Sequence, residues 1–308
     1  MKNLVTGGAG FIGSNLIDKL LKLNQKVICL DNFSTSLKSR ISNWYNNPLF
    51  QLIEHNITQS IEIEADRIWH LACPASPSDY QKNPIETAKI NFLGTLNVLE
   101  IARKNKSKIL FTSSSEIYGD TNSKPQSESI FGNINPIGKR SCYGEGKRIA
   151  ESLCYDYMRI YNIDIRVARL FNIYGPKMSA KDGRVISNFV NQALQNKNIS
   201  IYGDGLQTRS FCYIDDVIKG IIQLMDSNYK NPVNIGNPNE EYRILDLALL
   251  VKEKINNEIK IEYFPLRDDE PRSRKPDISI AKNFISWSPQ ISLDKGLDDT
   301  IDYFKIKI

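Results

Sequence analysis

Short apolar runs alternate with stretches of helical periodicity through the N-terminal half of the chain. The runs are rich in β-branched residues and predict strands over 3–6, 26–30, 50–54, 67–71, 108–112 and 165–170. Apolar positions three and four apart predict helices over 11–23, 86–104 and 143–161. This alternation is typical of a parallel sheet with crossover helices, so we expect an α/β, Rossmann-type doubly wound sheet.

Beyond residue 172 the pattern loosens into short strands, glycine-rich turns and helices over 185–194, 245–255 and 293–304. The helical run 214–225, followed by the strand-like run 232–236, predicts a return to the first sheet. We therefore expect a Rossmann domain over 1–172, with 211–236 returning to it. Residues 173–308 would mainly form a smaller, interleaved substrate-binding lobe.

Composition narrows the class of protein. The 308 residues are 41% hydrophobic and 24% charged, which is typical of a globular protein and excludes a disordered or disulfide-scaffold chain. No apolar run approaches about 18 residues, and the first strand begins at Asn3. These features predict a cytoplasmic protein with neither a membrane span nor a signal peptide.

The distribution of charged, cysteine and histidine residues argues against a nucleic-acid-binding protein and against a metal-binding protein. The net charge of +5 comes from dispersed residues, so we expect no nucleic-acid partner. Five scattered cysteines without a Cys-x-x-Cys pair, and two isolated histidines, predict reduced thiols and no metal site.

A glycine-rich turn lies between the first predicted strand and the first predicted helix. Gly7, Gly10 and Gly13 satisfy the Gly-x-Gly-x-x-Gly fingerprint, in which a helix N-terminus meets a pyrophosphate. Asp31 ends the second strand, where a carboxylate binds the adenosine ribose hydroxyls and repels a 2′-phosphate. The pattern predicts a dinucleotide site and favours NAD over NADP.

Two further segments carry candidate catalytic groups. Ser114 and Glu116 follow the strand 108–112, and Tyr143 and Lys147 form a Tyr-x-x-x-Lys pair on one helix face. We expect the Lys147 ammonium and a nicotinamide ring to lower the pKa of Tyr143, which suits a general base for alcohol oxidation. A serine hydroxyl would orient the substrate oxygen.

In this order, these motifs resemble the extended short-chain dehydrogenase/reductase superfamily, whose members modify nucleotide sugars. Longer motifs are similar to those of the UDP-glucuronate decarboxylase (UDP-xylose synthase) family and span nearly the whole chain. They are HLACPASP (70–77), NPIGKRSCY (135–143), DGRVISNF (182–189), YGDGLQTRSF (202–211) and RKPD (274–277). The resemblance implies a homodimer formed through the helices 86–104 and 143–161.

The resemblance also implies the chemistry. Tyr143 would deprotonate the sugar 4-hydroxyl of UDP-glucuronate while hydride leaves C4 for NAD. The 4-ketone lies β to the C6 carboxylate, so carbon dioxide can leave and the ketone holds the electrons as an enolate. Protonation at C5 and return of the hydride give UDP-xylose with NAD regenerated.

Site residues follow from the same resemblance. Ser114 would orient the hydroxyl, Glu116 would handle protons, and Arg274 would bind the substrate carboxylate bidentately. The NAD set is Gly7, Gly10, Phe11, Ile12, Gly13, Asp31, Asn32, Phe33, Ser34, Thr35, Leu71, Ala72, Tyr143 and Lys147. The nucleotide-sugar set is Tyr80, Lys89, Ser115, Asn172, Arg184, Val185, Asn188, Tyr202, Gln207, Arg209 and Arg274.

The sequence departs from the family pattern at three places. Ser114 stands where threonine is common, Gly144 replaces an acidic residue, and His55-Asn56 replaces His-Asp. None of these changes removes a group that the reaction needs.

Other activities of the same scaffold remain open. A 4,6-dehydratase needs an Asp-Glu pair where Ser115-Glu116 stands, and a 4-epimerase gains little from Arg274. An oxidative decarboxylase would release a UDP-4-keto-pentose. A non-catalytic nucleotide-binding protein is also conceivable, because fold alone does not imply activity.

Overall fold

The computed structural model describes residues 1–121, 123–266 and 272–307. The strands in chain order are β1 (Lys2–Thr6), β2 (Lys26–Asp31), β3 (Phe50–Glu54), β4 (Arg67–His70), β5 (Lys108–Ser114), β6 (Ile165–Leu170), β7 (Ile173–Tyr174), β8 (Ile199–Tyr202), β9 (Thr208–Ser210), β10 (Cys212–Tyr213), β11 (Val233–Ile235), β12 (Glu241–Arg243), β13 (Ile261–Phe264) and β14 (Ser273–Arg274). The helices are α1 (Phe11–Lys22), α2 (Pro77–Lys82), α3 (Pro84–Lys89), α4 (Thr95–Asn105), α5 (Ser141–Tyr161), α6 (Val185–Leu194), α7 (Ile214–Asp226), α8 (Ile244–Ile255), α9 (Ser279–Ile285) and α10 (Leu293–Lys305).

Seven strands form one sheet in the order β11-β6-β5-β4-β1-β2-β3, and each neighbouring pair is parallel. The predicted doubly wound α/β sheet is confirmed. β11 extends the sheet beside β6, with Val233 opposite Ala168, after α7 has carried the chain back. The chain order of the sheet therefore reverses between β1 and β4, where ligands of such folds bind.

The strands bury side chains on both faces, as an all-parallel sheet requires. Val5, Cys29 and Trp69 belong to the core on one face, together with α1 and α7. Leu4 and Ile68 belong to the core on the opposite face, which α4 and α5 cover. This alternation explains the nearly continuous apolar runs in the sequence.

The predicted single helix over 86–104 is wrong in detail. The chain forms α3, then a five-residue π-helical segment, Ile90–Gly94, and then α4. Asn91 of this segment packs so closely on α5 that a Cβ at Gly146 would lie 2.7 Å from its Nδ2 atom. Apolar periodicity does not distinguish such a wide turn from a regular helix.

Three small sheets lie beyond the main one. β12, β9 and β14 form a three-stranded sheet, and β8 pairs with β13 and β7 with β10. β9 and β14 run parallel, which places Arg274 beside Arg209. In the described part of the chain, no helix has the length and apolar character needed to cross a membrane.

Candidate active site

The glycine-rich turn between β1 and α1 brings backbone atoms unusually close together. Gly7 has φ +68° and donates its N–H to the Leu30 carbonyl at 2.8 Å. A Cβ at Gly13 would lie only 2.3 Å from the Gly7 carbonyl oxygen. Since a side chain at Gly13 would displace the turn, glycine there keeps the amides at the start of α1 close to the sheet edge.

Asp31 is held at the end of β2 by the same turn. Its carboxylate accepts hydrogen bonds from the Ala9 N–H at 2.9 Å, the Phe33 N–H at 2.9 Å and the Ser36 hydroxyl at 2.7 Å. A carboxylate has about four acceptor sites, so capacity remains for ligand hydroxyls.

The glycine turn and Asp31 line one cavity, which we call the glycine-turn cavity. Of the sequence-predicted residues, it is lined by Gly7, Gly10, Phe11, Ile12, Gly13, Asp31, Asn32, Ser34, Thr35, Leu71, Ala72 and Arg184. A helix N-terminus suits a pyrophosphate and a strand-end carboxylate suits a ribose, so these residues fit NAD.

A second cavity, the Tyr143 cavity, adjoins the first, and Ile12, Leu71, Cys73 and Arg184 line both. Of the sequence-predicted residues, it also contains Tyr80, Ser114, Ser115, Glu116, Tyr143, Lys147, Asn172, Val185, Asn188, Tyr202, Gln207 and Arg209. The fold thus gathers the ends of β5 and β9 and one face of α5 around a single space.

Tyr143 and Lys147 are both nearly buried on the face of α5 that meets β5. The Lys147 ammonium donates to the Thr112 carbonyl at 2.9 Å and lies 5.9 Å from the centre of the Tyr143 ring. On its other side, the Tyr143 ring stacks on Tyr80, with 5.1 Å between ring centres and 8° between planes. The phenol is therefore fixed in orientation.

The groups of the chain itself raise the pKa of Tyr143, whereas the expected lowering also includes the charge of a nicotinamide ring. Burial raises the pKa of the phenol, the nearby Cys73 sulfur adds to the increase, and a hydrogen bond with Ser114 opposes it. Burial also lowers the pKa of Lys147. Burial is thus the main cause of the raised pKa of Tyr143, and the Lys147 ammonium bonds to the Thr112 carbonyl and not to the phenol.

Glu116 lies in a cluster of guanidinium groups. Its carboxylate pairs with Arg140 at 2.8 Å and with the Arg274 Nε at 3.7 Å. Burial would raise the pKa of Glu116, but the charges of Arg140, Arg274 and Arg209 outweigh it and lower the pKa to about 2. The carboxylate is therefore ionised at neutral pH inside a positively charged surround.

Three sequence-predicted residues do not line either cavity. Lys89 is exposed on α3, and Phe33 packs against the hydrophobic core. Arg274 is 2% exposed and lies behind Glu116, and its Nε has no hydrogen-bond partner among the described residues. The guanidinium is one side chain away from the cavity.

Sequence reasoning missed other residues at the site. Arg140, the partner of Glu116, stands three residues before Tyr143, a helical spacing that places the two on adjoining faces. Asp182 holds the Arg184 guanidinium in an ion pair, and Cys73 lies between the two cavities. Arg140 lies in the motif 135–143 and Asp182 in the motif 182–189. Opposite charges in or near these motifs are the sequence feature that could have predicted both residues.

The described ranges contain no group of three His, Cys, Asp or Glu side chains that could hold a metal ion.

A glycine-turn cavity that opens into a Tyr-Lys-Ser site defines a nucleotide-dependent oxidoreductase scaffold. The chain belongs to the NAD dependent epimerase/dehydratase family, whose family model matches residues 3–236. Among its relatives are proteins named UDP-glucuronic acid decarboxylase, which confirms the resemblance seen in the motifs. UDP-glucuronic acid decarboxylase 3 of Arabidopsis thaliana is 50% identical, over 100% of this chain and 90% of the relative. UDP-glucuronic acid decarboxylase 1 of Danio rerio is 47% identical, over 98% of this chain and 72% of the relative.

Solved structures give the same fold over the full chain. UDP-glucuronic acid 4-epimerase from Bacillus cereus, in complex with UDP-glucuronic acid and NAD, is 30% identical with a TM-score of 0.90, covering 100% of both chains. UDP-glucose 4-epimerase from Thermotoga maritima, with UDP-glucose, is 29% identical with a TM-score of 0.91, covering 100% of this chain and 99% of the other.

Proposed function

We propose that this protein converts UDP-glucuronate into UDP-xylose and carbon dioxide, with NAD as a bound cofactor that is regenerated. One observation carries the proposal: the Tyr143, Lys147 and Ser114 group shares a cavity with Glu116, Arg140 and Arg209, and Arg274 lies directly behind Glu116. The first group suits oxidation of an alcohol, and the second suits a sugar that carries a carboxylate. The names of the relatives agree with this combination.

The glycine-turn cavity would hold NAD through the amides at the start of α1 and through Asp31. Bound there, NAD would accept two electrons and a hydrogen from C4 of the sugar and later return them. The remaining steps can be assigned to this chain's own residues.

Tyr143 would take the proton of the sugar 4-hydroxyl, with Ser114 orienting the oxygen. Ser114 already contacts the phenol, and Tyr80 fixes the plane of the ring from the other side. Lys147 would supply positive charge near the developing phenolate, held in place by the Thr112 carbonyl.

Decarboxylation needs a ketone β to the carboxylate, and oxidation at C4 creates it. The bond between C5 and C6 then breaks, its electron pair passes to the ketone as an enolate, and a proton added at C5 completes the 4-keto-pentose. Arg274 would bind the C6 carboxylate from behind Glu116, since its Nε lies 3.7 Å from the Glu116 carboxylate and makes no hydrogen bond within the described residues. Because the neighbouring arginines keep Glu116 ionised, its carboxylate can accept hydrogen bonds and orient a water molecule near C5.

The nucleotide would bind at the far end of the Tyr143 cavity. Arg209 would neutralise the diphosphate, with Asn172, Arg184, Val185, Asn188, Tyr202 and Gln207 around it. Lys89 is left out of this set because its side chain is exposed outside both cavities.

A 4-epimerase acting on the same acid sugar is the second candidate. The structure of the Bacillus cereus UDP-glucuronic acid 4-epimerase superposes on this chain along its whole length. The two reactions share the 4-ketone. In the decarboxylase carbon dioxide leaves before C4 is reduced, whereas in the epimerase the carboxylate stays and the ketone rotates so that hydride returns to its opposite face.

The deciding experiment incubates the purified protein with UDP-glucuronate and NAD and follows carbon dioxide, absorbance of NADH and the product sugar by NMR. UDP-xylose with carbon dioxide and no net NADH supports the proposal. A 4-keto-pentose with stoichiometric NADH would make the protein an oxidative decarboxylase. UDP-galacturonate without carbon dioxide would make it an epimerase.

We also propose a homodimer formed through the helices around 84–105 and 141–161. Adjacent helices there expose Ile85, Phe92, Leu93, Ile149 and Ile160, an arrangement that suits burial by a second copy. Ile160→Asp should shift the sedimentation coefficient toward a monomer. Phe284→Asp on α9, where the side chain is 59% exposed and lies outside these helices, should leave it unchanged.

The location we propose is the cytoplasm. Its support is that all five cysteines are free thiols, three of them buried, as expected of a protein that works in a reducing compartment. Imaging of a tagged full-length protein, with a cytoplasmic and a secreted marker, tests this location.

A further inference from the structure

A glutamine that no motif singled out holds the strand segment that carries Arg274. Gln126 is 0% exposed and lies between the short helix after β5 and α5. Its side-chain Oε1 accepts from the Lys275 N–H at 2.8 Å, and its Nε2 lies 3.4 Å from the Ser273 carbonyl. The two hydrogen bonds therefore reach the residues immediately before and after Arg274.

The backbone of Gln126 also makes hydrogen bonds to the segment that follows Arg274. Its N–H donates to the Lys275 carbonyl at 2.8 Å, and its carbonyl accepts from the Asp277 N–H at 2.8 Å. β9 pairs with β14, and Gln126 makes four hydrogen bonds to Ser273, Lys275 and Asp277, so the segment on both sides of Arg274 is fixed. A guanidinium that must meet a carboxylate in a bidentate geometry needs a backbone that does not shift.

Gln126 is itself fixed by a chain of buried hydrogen bonds. The Asn234 side-chain amide donates to the Gln126 carbonyl at 2.9 Å and accepts from the Tyr118 hydroxyl at 2.7 Å. Arg169 donates to that hydroxyl at 3.0 Å and pairs with Glu151 of α5 at 2.8 Å. The support for β14 therefore runs back to the main sheet and to the helix that carries Tyr143.

From this arrangement we infer that Gln126 is a positioning residue that sets selectivity for a carboxylated sugar by holding Arg274 in place. The inference rests on the proposed function, in which Arg274 binds the C6 carboxylate. Gln126 touches neither cavity, so it acts only through the strand segment. Its loss should weaken binding of a sugar nucleotide that has the carboxylate and spare one that lacks it.

The test measures Kd for UDP-glucuronate and UDP-glucose on the NAD-bound protein, in the Tyr143→Phe background so that turnover is strongly slowed during the titration. Gln126→Met keeps the length of the side chain and removes both of its hydrogen bonds. We expect Kd for UDP-glucuronate to rise about tenfold, the value of a hydrogen bond to a charged group, and Kd for UDP-glucose to change less than about twofold. Equal weakening of both ligands, or no change in either, would overturn the inference.

A matched control separates positioning from general loss of stability. Asn3 is also 0% exposed and its side chain makes three hydrogen bonds, but it lies on β1 next to Gln25 and Trp69. Asn3→Leu should lower Tm and leave the ratio of the two Kd values unchanged. If Gln126→Met does not fold, Gln126→Glu is the second variant, because it retains the acceptor for the Lys275 N–H. Its carboxylate competes for Arg274, so this variant should also reduce the preference for UDP-glucuronate over UDP-glucose.

A double-mutant cycle identifies the route. In an Arg274→Met background, Gln126→Met should change Kd for UDP-glucuronate less than about twofold, because the group it positions is gone. A full tenfold effect in that background would show that Gln126 acts elsewhere. If the parent protein itself shows no preference for UDP-glucuronate over UDP-glucose, it is the proposed carboxylate site that fails.

Discussion

The glycine-turn cavity takes much of its wall from the first βαβ segment, whereas the Tyr143 cavity collects side chains from places far apart in the sequence. In the first, backbone amides and Asp31 are within one hydrogen bond of each other, as Ala9 and Asp31 show. In the second, Glu116 meets Arg140 and Arg274 only because β5, α5 and β14 converge. The glycine-turn cavity therefore depends on glycines whose lack of a side chain allows the backbone to pack closely. The Tyr143 cavity depends on the strands and loops that position its charged side chains.

The largest expected effect separates chemistry from binding. Tyr143→Phe removes the proton acceptor and should lower kcat by about 10² to 10⁴-fold, while bound NAD and Tm stay as in the parent protein. The assay is carbon dioxide release from UDP-glucuronate, with NAD content measured on the same sample. Tyr157→Phe, on the same helix and bonded to Glu100, is the control and should retain activity. Equal activity of the two variants would remove Tyr143 from the mechanism.

The next largest effect is a loss of NAD binding in the glycine-turn cavity, with UDP binding in the Tyr143 cavity retained. Gly13→Ala places a Cβ 2.3 Å from the Gly7 carbonyl and should weaken NAD binding by about 10 to 100-fold. Affinity for UDP, measured by calorimetry, should change little. Gly144→Ala serves as the control, because its Cβ would lie 3.1 Å from the flexible Ile134 side chain and at an ordinary contact distance of 3.6 Å from the Glu116 carbonyl oxygen. Loss of UDP binding in Gly13→Ala would mean that the two cavities cannot be perturbed separately.

A smaller change should alter cofactor selectivity alone. Asp31→Ala removes the carboxylate that repels a 2′-phosphate and should reduce the preference for NAD over NADP by about tenfold. Titration of cofactor-free protein with both dinucleotides measures this ratio. Glu54→Gln, an exposed carboxylate at the end of β3, should leave the ratio unchanged. Unaltered selectivity in Asp31→Ala would remove the ribose role from this residue.

The smallest effect concerns the charged cluster and acid stability. The pKa of Glu116 is lowered in the folded protein to about 2, so its stabilising effect is complete above the ordinary value near 4.5 and is lost as pH falls toward 2. The difference in unfolding free energy between the parent and Glu116→Gln should therefore shrink by about 1 kcal/mol from pH 7 to pH 4. Urea denaturation at the two pH values measures it. Glu64→Gln, whose side chain is 90% exposed, should show no such change.

The same contrast explains what could be predicted from the sequence. Strand β3 and helix α6 fall where periodicity predicts them, and the glycine turn is contiguous, so its context was readable. Arg274 could be found only through resemblance, because nothing local distinguishes it from a surface charge in a basic run. Gln126 and the bond from Lys147 to Thr112 depend on how distant segments meet, which periodicity does not encode.

The late return of β11 to the main sheet has a consequence for synthesis of the protein. A nascent chain that has reached Asn172 already contains the glycine turn, Asp31, Tyr143 and Lys147, but β6 still lacks its outer neighbour. At about 5 to 20 residues per second, the ribosome takes several seconds to deliver β11. During that interval β6 is an open edge, available to pair with another chain. Chaperone demand should therefore be highest between these two points in translation, after the Tyr-Lys pair has been made and before the sheet has all seven strands.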